Sequence, residues 1–309
     1  MTADERVPHG FRLAHAEHRL LRSRPPAAAL RWARAAVGER ARVVAVRARS
    51  GGTSSAVHVI HLEDRRGSRH RLVLRRYVRA DWLAEQPDLA EREAEVLRVL
   101  EVGPVPAPRL VAVDPTGEQA GVPAVLMTFL PGRLDWAPSD LDGWLERLAE
   151  PLPVIHATPV PTAARIPLYR PHELDRALAP PPWTRHRRAW ERAVEVYLGP
   201  PPSGEQVFIH RDYHPGNVLW SRRRVSGIVD WANASLGAPE ADVGHCRANL
   251  AGHFDLTIAD RFLARYHTLT GRTGYHPYWD IAVVVGPIDS YGDPDPDLDA
   301  FLSRAVARL

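Results

Sequence analysis

Residues 207–231 set a polar loop between short apolar runs, and that frame restricts the possible fold more than any other part of the 309-residue chain. It reads Val207-Phe208-Ile209, then His210-Arg211-Asp212-Tyr213-His214-Pro215-Gly216-Asn217, then Val218-Leu219-Trp220, a turn, and finally Ile228-Val229-Asp230-Trp231. Apolar runs this short, bounded by turn residues, predict strands. The strands anchor the loop, which presents Asp212 and Asn217 toward one point, and Asp230 is expected to arrive there from the neighbouring strand. Asp, Asn, Gly and Pro also favour turns for local reasons. Three spacings inside one strand-loop-strand frame separate this segment from an ordinary turn.

A constellation of this kind suits phosphoryl transfer. One carboxylate accepts the attacking hydroxyl's proton, oxygen ligands hold Mg²⁺ on a nucleoside triphosphate, and positive charge offsets what builds up on the transferring group. Mg²⁺ takes one or two carboxylates together with phosphate oxygens.

The pattern His210-x-Asp212-x-His214-Pro215-x-Asn217, followed by Val229-Asp230-Trp231, resembles the aminoglycoside phosphotransferase and choline-kinase-like family. The resemblance continues through Gly237-x-Pro239-x-x-Asp242-Val243-Gly244. It implies an α+β, bilobal protein-kinase-like fold, with an antiparallel-sheet N-lobe carrying one main helix and a larger, mainly helical C-lobe. It also implies Asp212 as catalytic base, Asn217 and Asp230 as metal ligands, and Asp242 as a structural acid bonding the catalytic loop. ATP or GTP and Mg²⁺ are the implied cofactors, and a small-molecule hydroxyl compound, such as an aminoglycoside-like antibiotic, the implied acceptor.

Length alone allows roughly two units of ~150 residues each. The expected division is a helical extension over 1–40, a nucleotide-binding N-lobe over 41–130, and a C-lobe over 131–309 with the catalytic loop and acceptor site. Residues 1–40 read as Arg-rich helices broken at Pro25-Pro26. Three β-rich runs, 43–46, 56–62 and 71–75, come next with turns between them and predict an antiparallel meander. Residues 87–103 read as a helix, 110–113 and 123–130 as further strands, and the chain beyond 141 as mainly helical. A helix bracketed by Pro180-Pro181-Pro182 and Gly199 places Trp183, Trp190, Val194 and Tyr197 on one stripe.

The first lobe has to supply a phosphate cover, a cation and an acid that fixes the cation. Ser50-Gly51-Gly52-Thr53-Ser54-Ser55 sits between the first two strands. It reads either as a hairpin turn or, by resemblance, as the phosphate-covering loop, with Gly52, Ser54 and Ser55 its contacts. Period-two alternation puts Val73 and Arg75 on one face, opposite Leu74, so that Val73 touches adenine while Arg75 reaches phosphate. Many relatives carry Lys at this position, and a solvated strand-end Arg is the alternative. Glu93 lies on the apolar stripe with Leu89, Val96, Leu97 and Leu100, where a carboxylate is costly unless paired. Arg75 is the expected partner, and a rim position the alternative. Thr128 and Phe129 stand at the interlobe connection expected to read the adenine edge. For the acceptor, Asp255, Asp280, Asp289 and the run Asp293 to Asp299 are candidate acids, or else a solvated loop. Trp183, Trp190, Trp279 and Tyr291 form an aromatic wall or ordinary core.

Composition narrows the alternatives. Apolar residues are 45% and charged residues 25%, an ordinary globular mix. All 40 basic residues are Arg, interleaved with 37 acids for a net charge of +3, which gives no basis for a nucleic-acid partner. A single cysteine excludes internal disulfides and fits a reducing compartment. With no signal-peptide pattern and no apolar stretch of membrane-spanning length, the expectation is a cytoplasmic protein without a membrane partner, a monomer or weak dimer. A second reading, a kinase-like nucleotide-binding regulator with little turnover, rests only on Arg75.

Overall fold

The computed structural model describes residues 15–49, 55–171, 177–288, 291 and 293–309. Gly52 and Ser54 of the expected phosphate cover, and Asp289 among the candidate acceptor acids, lie outside the described residues. The described chain falls into two compact units, 15–131 with 161–166, and 132–160 with 167–309.

The first unit opens with helices α1 (His15–Arg22) and α2 (Ala27–Val37). They part at Pro25-Pro26, because proline lacks the N–H a continuing helix needs. Five strands come after them, β1 (Arg42–Ala48), β2 (Ala56–Glu63), β3 (Arg69–Arg76), β4 (Leu110–Asp114) and β5 (Ala124–Thr128). They form one antiparallel sheet in the order β1-β2-β3-β5-β4. Strand alternation directs Ile60, Leu62, Leu72, Leu74 and Leu126 into a core with Trp32 and Ala33 of α2. Helix α2 is therefore part of this unit's core. Between β3 and β4 lie a short helix α3 (Ala80–Glu85), not expected from the sequence pattern, and α4 (Leu89–Leu100). On α4 the stripe Leu89, Glu93, Val96, Leu97 and Leu100 is buried.

The second unit holds α5 (Leu141–Ala149), α6 (Pro151–His156), α7 (Arg187–Leu198), α8 (Glu240–His253), α9 (Leu256–Thr270), α10 (Tyr278–Val285) and α11 (Pro296–Val306). Two short antiparallel pairs support the loop over 210–217. Strand β6 (Val207–Ile209) pairs with β9 (Ser235–Gly237), and β7 (Val218–Ser221) with β8 (Arg224–Ile228). The β7–β8 turn is made by Arg222 and Arg223, both left-handed at φ +50° and +62°, the sense that matches strand twist in a two-residue hairpin. Helices α8 and α10 pack so closely that a Cβ on Gly244 would stand 2.6 Å from the Trp279 carbonyl oxygen. On α7 the buried stripe is Trp190, Val194 and Tyr197. Trp183 precedes the helix and meets Trp190 edge-on, which corrects the four-residue stripe. Among the described residues no helix is long and apolar enough to cross a membrane.

One buried titratable group in the first unit couples folding to pH. His58 on β2 is 1% exposed. Burial, followed by the nearby Arg76 charge, lowers its pKa from 6.5 to about 4. Between those values the unfolded chain binds a proton that the folded chain does not. Stability is thus full above pH 6.5 and is lost as pH falls toward 4, by about 3 kcal/mol in all. Urea midpoints measured at pH 7 and pH 4.5 should show this fall, and His58→Phe should flatten that part of the profile.

Candidate active site

The loop after β6 is held from beneath by one carboxylate. Asp242, fully buried on α8, accepts the backbone N–H of His210 at 2.9 Å and of Arg211 at 2.5 Å. His156 at the end of α6 donates to the same carboxylate at 3.2 Å, and its other nitrogen faces the Tyr266 hydroxyl at 3.2 Å. Arg211 takes φ +68°, a left-handed conformation that costs a non-glycine residue of order 1 kcal/mol and persists only where its surroundings impose it. The two N–H bonds to Asp242 impose it here.

His210 joins this loop to the strand that leads to Asp230. Its Nδ1 accepts the Asp212 N–H at 3.2 Å, which leaves the ring proton on Nε2 to donate to the Val229 carbonyl at 3.0 Å. Trp231 packs against the His210 ring at 4.3 Å between centroids, and its indole N–H donates to Ile228 O at 2.9 Å. The β7–β8 hairpin places the other two residues of the motif. Val218 pairs with Ile228 at its open end, and the Val229 N–H donates to Asn217 O at 2.9 Å. Asn217 and Asp230 therefore flank that end, Asp230 with φ +69°.

The Asp212 carboxylate has a donor on each oxygen. The Asn217 amide nitrogen lies 3.1 Å from Oδ2 and 2.9 Å from the Asp212 backbone oxygen. His245 Nε2, from α8, stands 2.9 Å from Oδ1, and His214 Nε2 3.8 Å from it. Burial pushes the Asp212 pKa up. The His245 hydrogen bond, with the His245 charge next, outweighs burial and holds the carboxyl well below its usual range. The sequence motif singles out Asp212 and Asn217 but not His245, whose only signal is its place one turn after Asp242.

Asp212, His214 and His245 each offer a ligand atom within 4.8 Å of the others. Yet His214 Nδ1 accepts the Gly216 N–H at 3.0 Å. A backbone N–H can only donate, so the His214 ring proton sits on Nε2, the atom that would have to bind a metal. The cluster is a carboxylate with His245 as its donor and His214 beside it, beyond hydrogen-bond reach. Asn217 differs: with its amide nitrogen turned to Asp212, its side-chain oxygen faces away and can ligate a cation.

In the first unit, Arg75 and Glu93 meet. Arg75 Nη1 donates to Glu93 Oε1 at 2.8 Å, Arg75 Nε to Ser55 Oγ at 2.7 Å, and the Tyr77 hydroxyl to Glu93 Oε2 at 2.8 Å. All four side chains are buried. Val73 is half-buried on the same strand. At the end of β5 the N–H groups of Thr128 and Phe129 already donate to Arg109 O and Arg71 O, and the Arg71 guanidinium lies 3.7 Å over the Phe129 ring. The two N–H groups are thus engaged within the first unit, which leaves the backbone carbonyls as the groups through which this connection would read an adenine edge.

Four of the acids proposed for the acceptor are engaged elsewhere. Asp255 and Asp295 cap α9 and α11. Asp280 takes two bonds from Arg247 and one from Tyr275. Asp299 accepts from Thr184, the Arg185 N–H and Trp190 Nε1. Trp190 and Trp279 are buried in the core. The expectation that these acids receive a polycation loses its support, as does the aromatic wall.

Removing the anchor under the loop should be costly. Asp242→Asn turns an amide N–H₂ toward at least one of the three donors that the carboxylate accepts, and should lower stability by about 3 kcal/mol. Chemical denaturation measures that loss.

Comparison with known proteins agrees with this geometry. The family described as "Phosphotransferase enzyme family" matches residues 45–278. A search of curated proteins returned no match. Among solved structures, similarity extends to a protein described as an aminoglycoside phosphotransferase from Ralstonia eutropha JMP134. It is 18% identical with a TM-score of 0.60, over 91% of this chain and 97% of the other. A thermostable mutant of the aminoglycoside phosphotransferase APH(4)-Ia, solved with AMP-PNP and hygromycin B, is 16% identical with a TM-score of 0.57, over 87% and 96%. The macrolide 2'-phosphotransferase MphH from Brachybacterium faecium is 19% identical with a TM-score of 0.53, over 85% and 91%. With a sheet-based N-terminal unit, a mainly helical C-terminal unit and a family match across most of its length, the chain belongs to the phosphotransferase enzyme family and has the protein-kinase-like fold.

Proposed function

We propose that this protein transfers the γ-phosphoryl group of ATP or GTP to a hydroxyl of a small molecule, with Asp212 as the catalytic base. The observation that carries the reading is the Asp212 carboxylate, gripped on both oxygens by side chains and set on a loop whose backbone is tied to Asp242. That the related APH(4)-Ia structure contains AMP-PNP and hygromycin B supports a nucleotide donor and a small acceptor.

In the reaction the acceptor oxygen attacks the γ-phosphorus as the bond to the β,γ-bridging oxygen breaks. The nucleoside diphosphate leaves with that electron pair, and the hydroxyl proton passes to Asp212. A carboxyl held below its usual pKa is a weak base. Phosphoryl transfer through a loose transition state asks for alignment of the nucleophile more than for strong basicity, and Asp212 is built to align. Asn217, with its side-chain oxygen turned away from Asp212, and Asp230 at the hairpin end form an oxygen donor set that suits Mg²⁺. Held there by Asn217 and Asp230, the ion would supply charge that offsets the nucleotide phosphates. Arg75, fixed by Glu93, steadies the α- and β-phosphates. The Arg75–Glu93 ion pair supports this reading over that of a regulator without turnover.

A screen with γ-labelled ATP and GTP against aminoglycosides, macrolides and metabolite alcohols tests the reading. One phosphorylated product is expected, and neither product nor nucleotide consumption across the panel would overturn it. Asp212→Asn should cut turnover about 100-fold or more with nucleotide affinity within about twofold of the parent. Asp230→Ala should instead abolish the Mg²⁺-dependent part of nucleotide affinity, measured by calorimetry with and without the ion.

A further inference from the structure

We infer that His245 is a positioning residue for the reaction, the second of two α8 side chains that fix the catalytic loop. This rests on the reading of Asp212 as the base.

Helix α8 reaches the loop twice, through side chains three residues apart that share a helix face. Asp242 takes the backbone N–H groups of His210 and Arg211, and His245 Nε2 reaches the Asp212 side chain at 2.9 Å. Between them in sequence, Gly244 lets α8 close on α10, where a Cβ would stand 2.6 Å from Trp279 O. A helix seated this tightly holds both contacts in one frame.

The Asp212 carboxylate needs the second contact. Asn217 donates to Oδ2 at 3.1 Å, but a single donor leaves the carboxylate free to turn about its Cβ–Cγ bond. Fixing Oδ1 as well defines the plane of the group and the direction of the lone pairs left for the acceptor hydroxyl. His214 does not supply that bond, since its Nε2 lies 3.8 Å from Oδ1, beyond hydrogen-bond reach. His245 does. Because Asp212 stays a carboxylate, His245 Nε2 must carry the proton in this contact. His245 is one quarter exposed, so its removal leaves the core of α8 in place.

The test pairs kinetics with a spectroscopic readout. With MgATP as probe and water as acceptor, His245→Ala should lower kcat about 10- to 100-fold, while the KM for ATP and the urea midpoint stay at parent values. His245→Gln, which offers an N–H at a similar reach, should recover most of that loss. Parent-like kcat in His245→Ala, or equal losses in the Ala and Gln variants, would overturn the inference. Independently of turnover, histidine ¹H–¹⁵N spectra of the parent should show the His245 Nε2–H, and Asp212→Asn should shift it. A resonance unmoved by Asp212→Asn would also overturn the inference. If the parent consumes no ATP with water or with any acceptor of the panel, the phosphotransferase reading fails, and the spectrum alone still decides whether His245 holds Asp212.

Discussion

The loop that carries Asp212 depends on a buried carboxylate that receives two consecutive backbone N–H groups. His210 and Arg211 leave strand β6 at the point where the chain turns away from its partner β9. Their amide hydrogens would otherwise be buried without acceptors, a cost that folded proteins rarely tolerate. Asp242 accepts both, and so holds Arg211 in a left-handed conformation. That fixed turn positions the remainder of the loop. Asp212 comes under the reach of His245, His210 bridges to Val229, and the base of the β7–β8 hairpin brings Asn217 beside Val229. His156 and Tyr266 extend the same chain of bonds outward and keep the Asp242 carboxylate from turning.

Several other acids in the second unit serve the scaffold. Arg247, buried on α8, bonds Asp280 of α10 through two nitrogens and the Ala259 carbonyl of α9 through a third. A buried pair of this kind contributes little net stability because desolvation offsets much of the attraction, yet breaking it leaves a charge without a partner. Its effect here is to fix the register of three helices, one of which carries Asp242 and His245. Asp299 acts similarly at longer range, collecting donors from the segment before α7 and from α7 itself.

Whether a feature could be read from the sequence depends on how local its cause is. The strand-loop-strand frame around Asp212 was legible because its strands and turns depend on neighbouring residues. The Arg75–Glu93 pair was legible because strand alternation and helix periodicity each placed one partner on a buried face, and two buried opposite charges have reason to meet. Asp280 and Asp299 misled because their partners lie 33 and 109 residues away, a distance no local pattern spans. His245 was missed because a lone imidazole one turn beyond Asp242 has no signature until the fold brings Asp212 beside it. Likewise Thr128 and Phe129 sat at a strand end as expected, but only the sheet shows that Arg109 and Arg71 already occupy their N–H groups.

With Asp212 as the proposed base, the donors around it set a compromise in its chemistry. Each hydrogen bond to the carboxylate stabilises its charged form and weakens it as a base, and each also removes a freedom that would blur its aim. If proton abstraction limited the rate, a site that lowered the base's pKa this far would work against itself. In a transition state where the bond to the leaving group is largely broken before the nucleophile's bond is made, the hydroxyl proton becomes acidic late, and orientation of the oxygen matters first. Two donors of different origin, Asn217 from the hairpin and His245 from α8, make that orientation depend on two separate parts of the fold. A displacement of either should therefore register at the base even when its backbone anchor on Asp242 is intact.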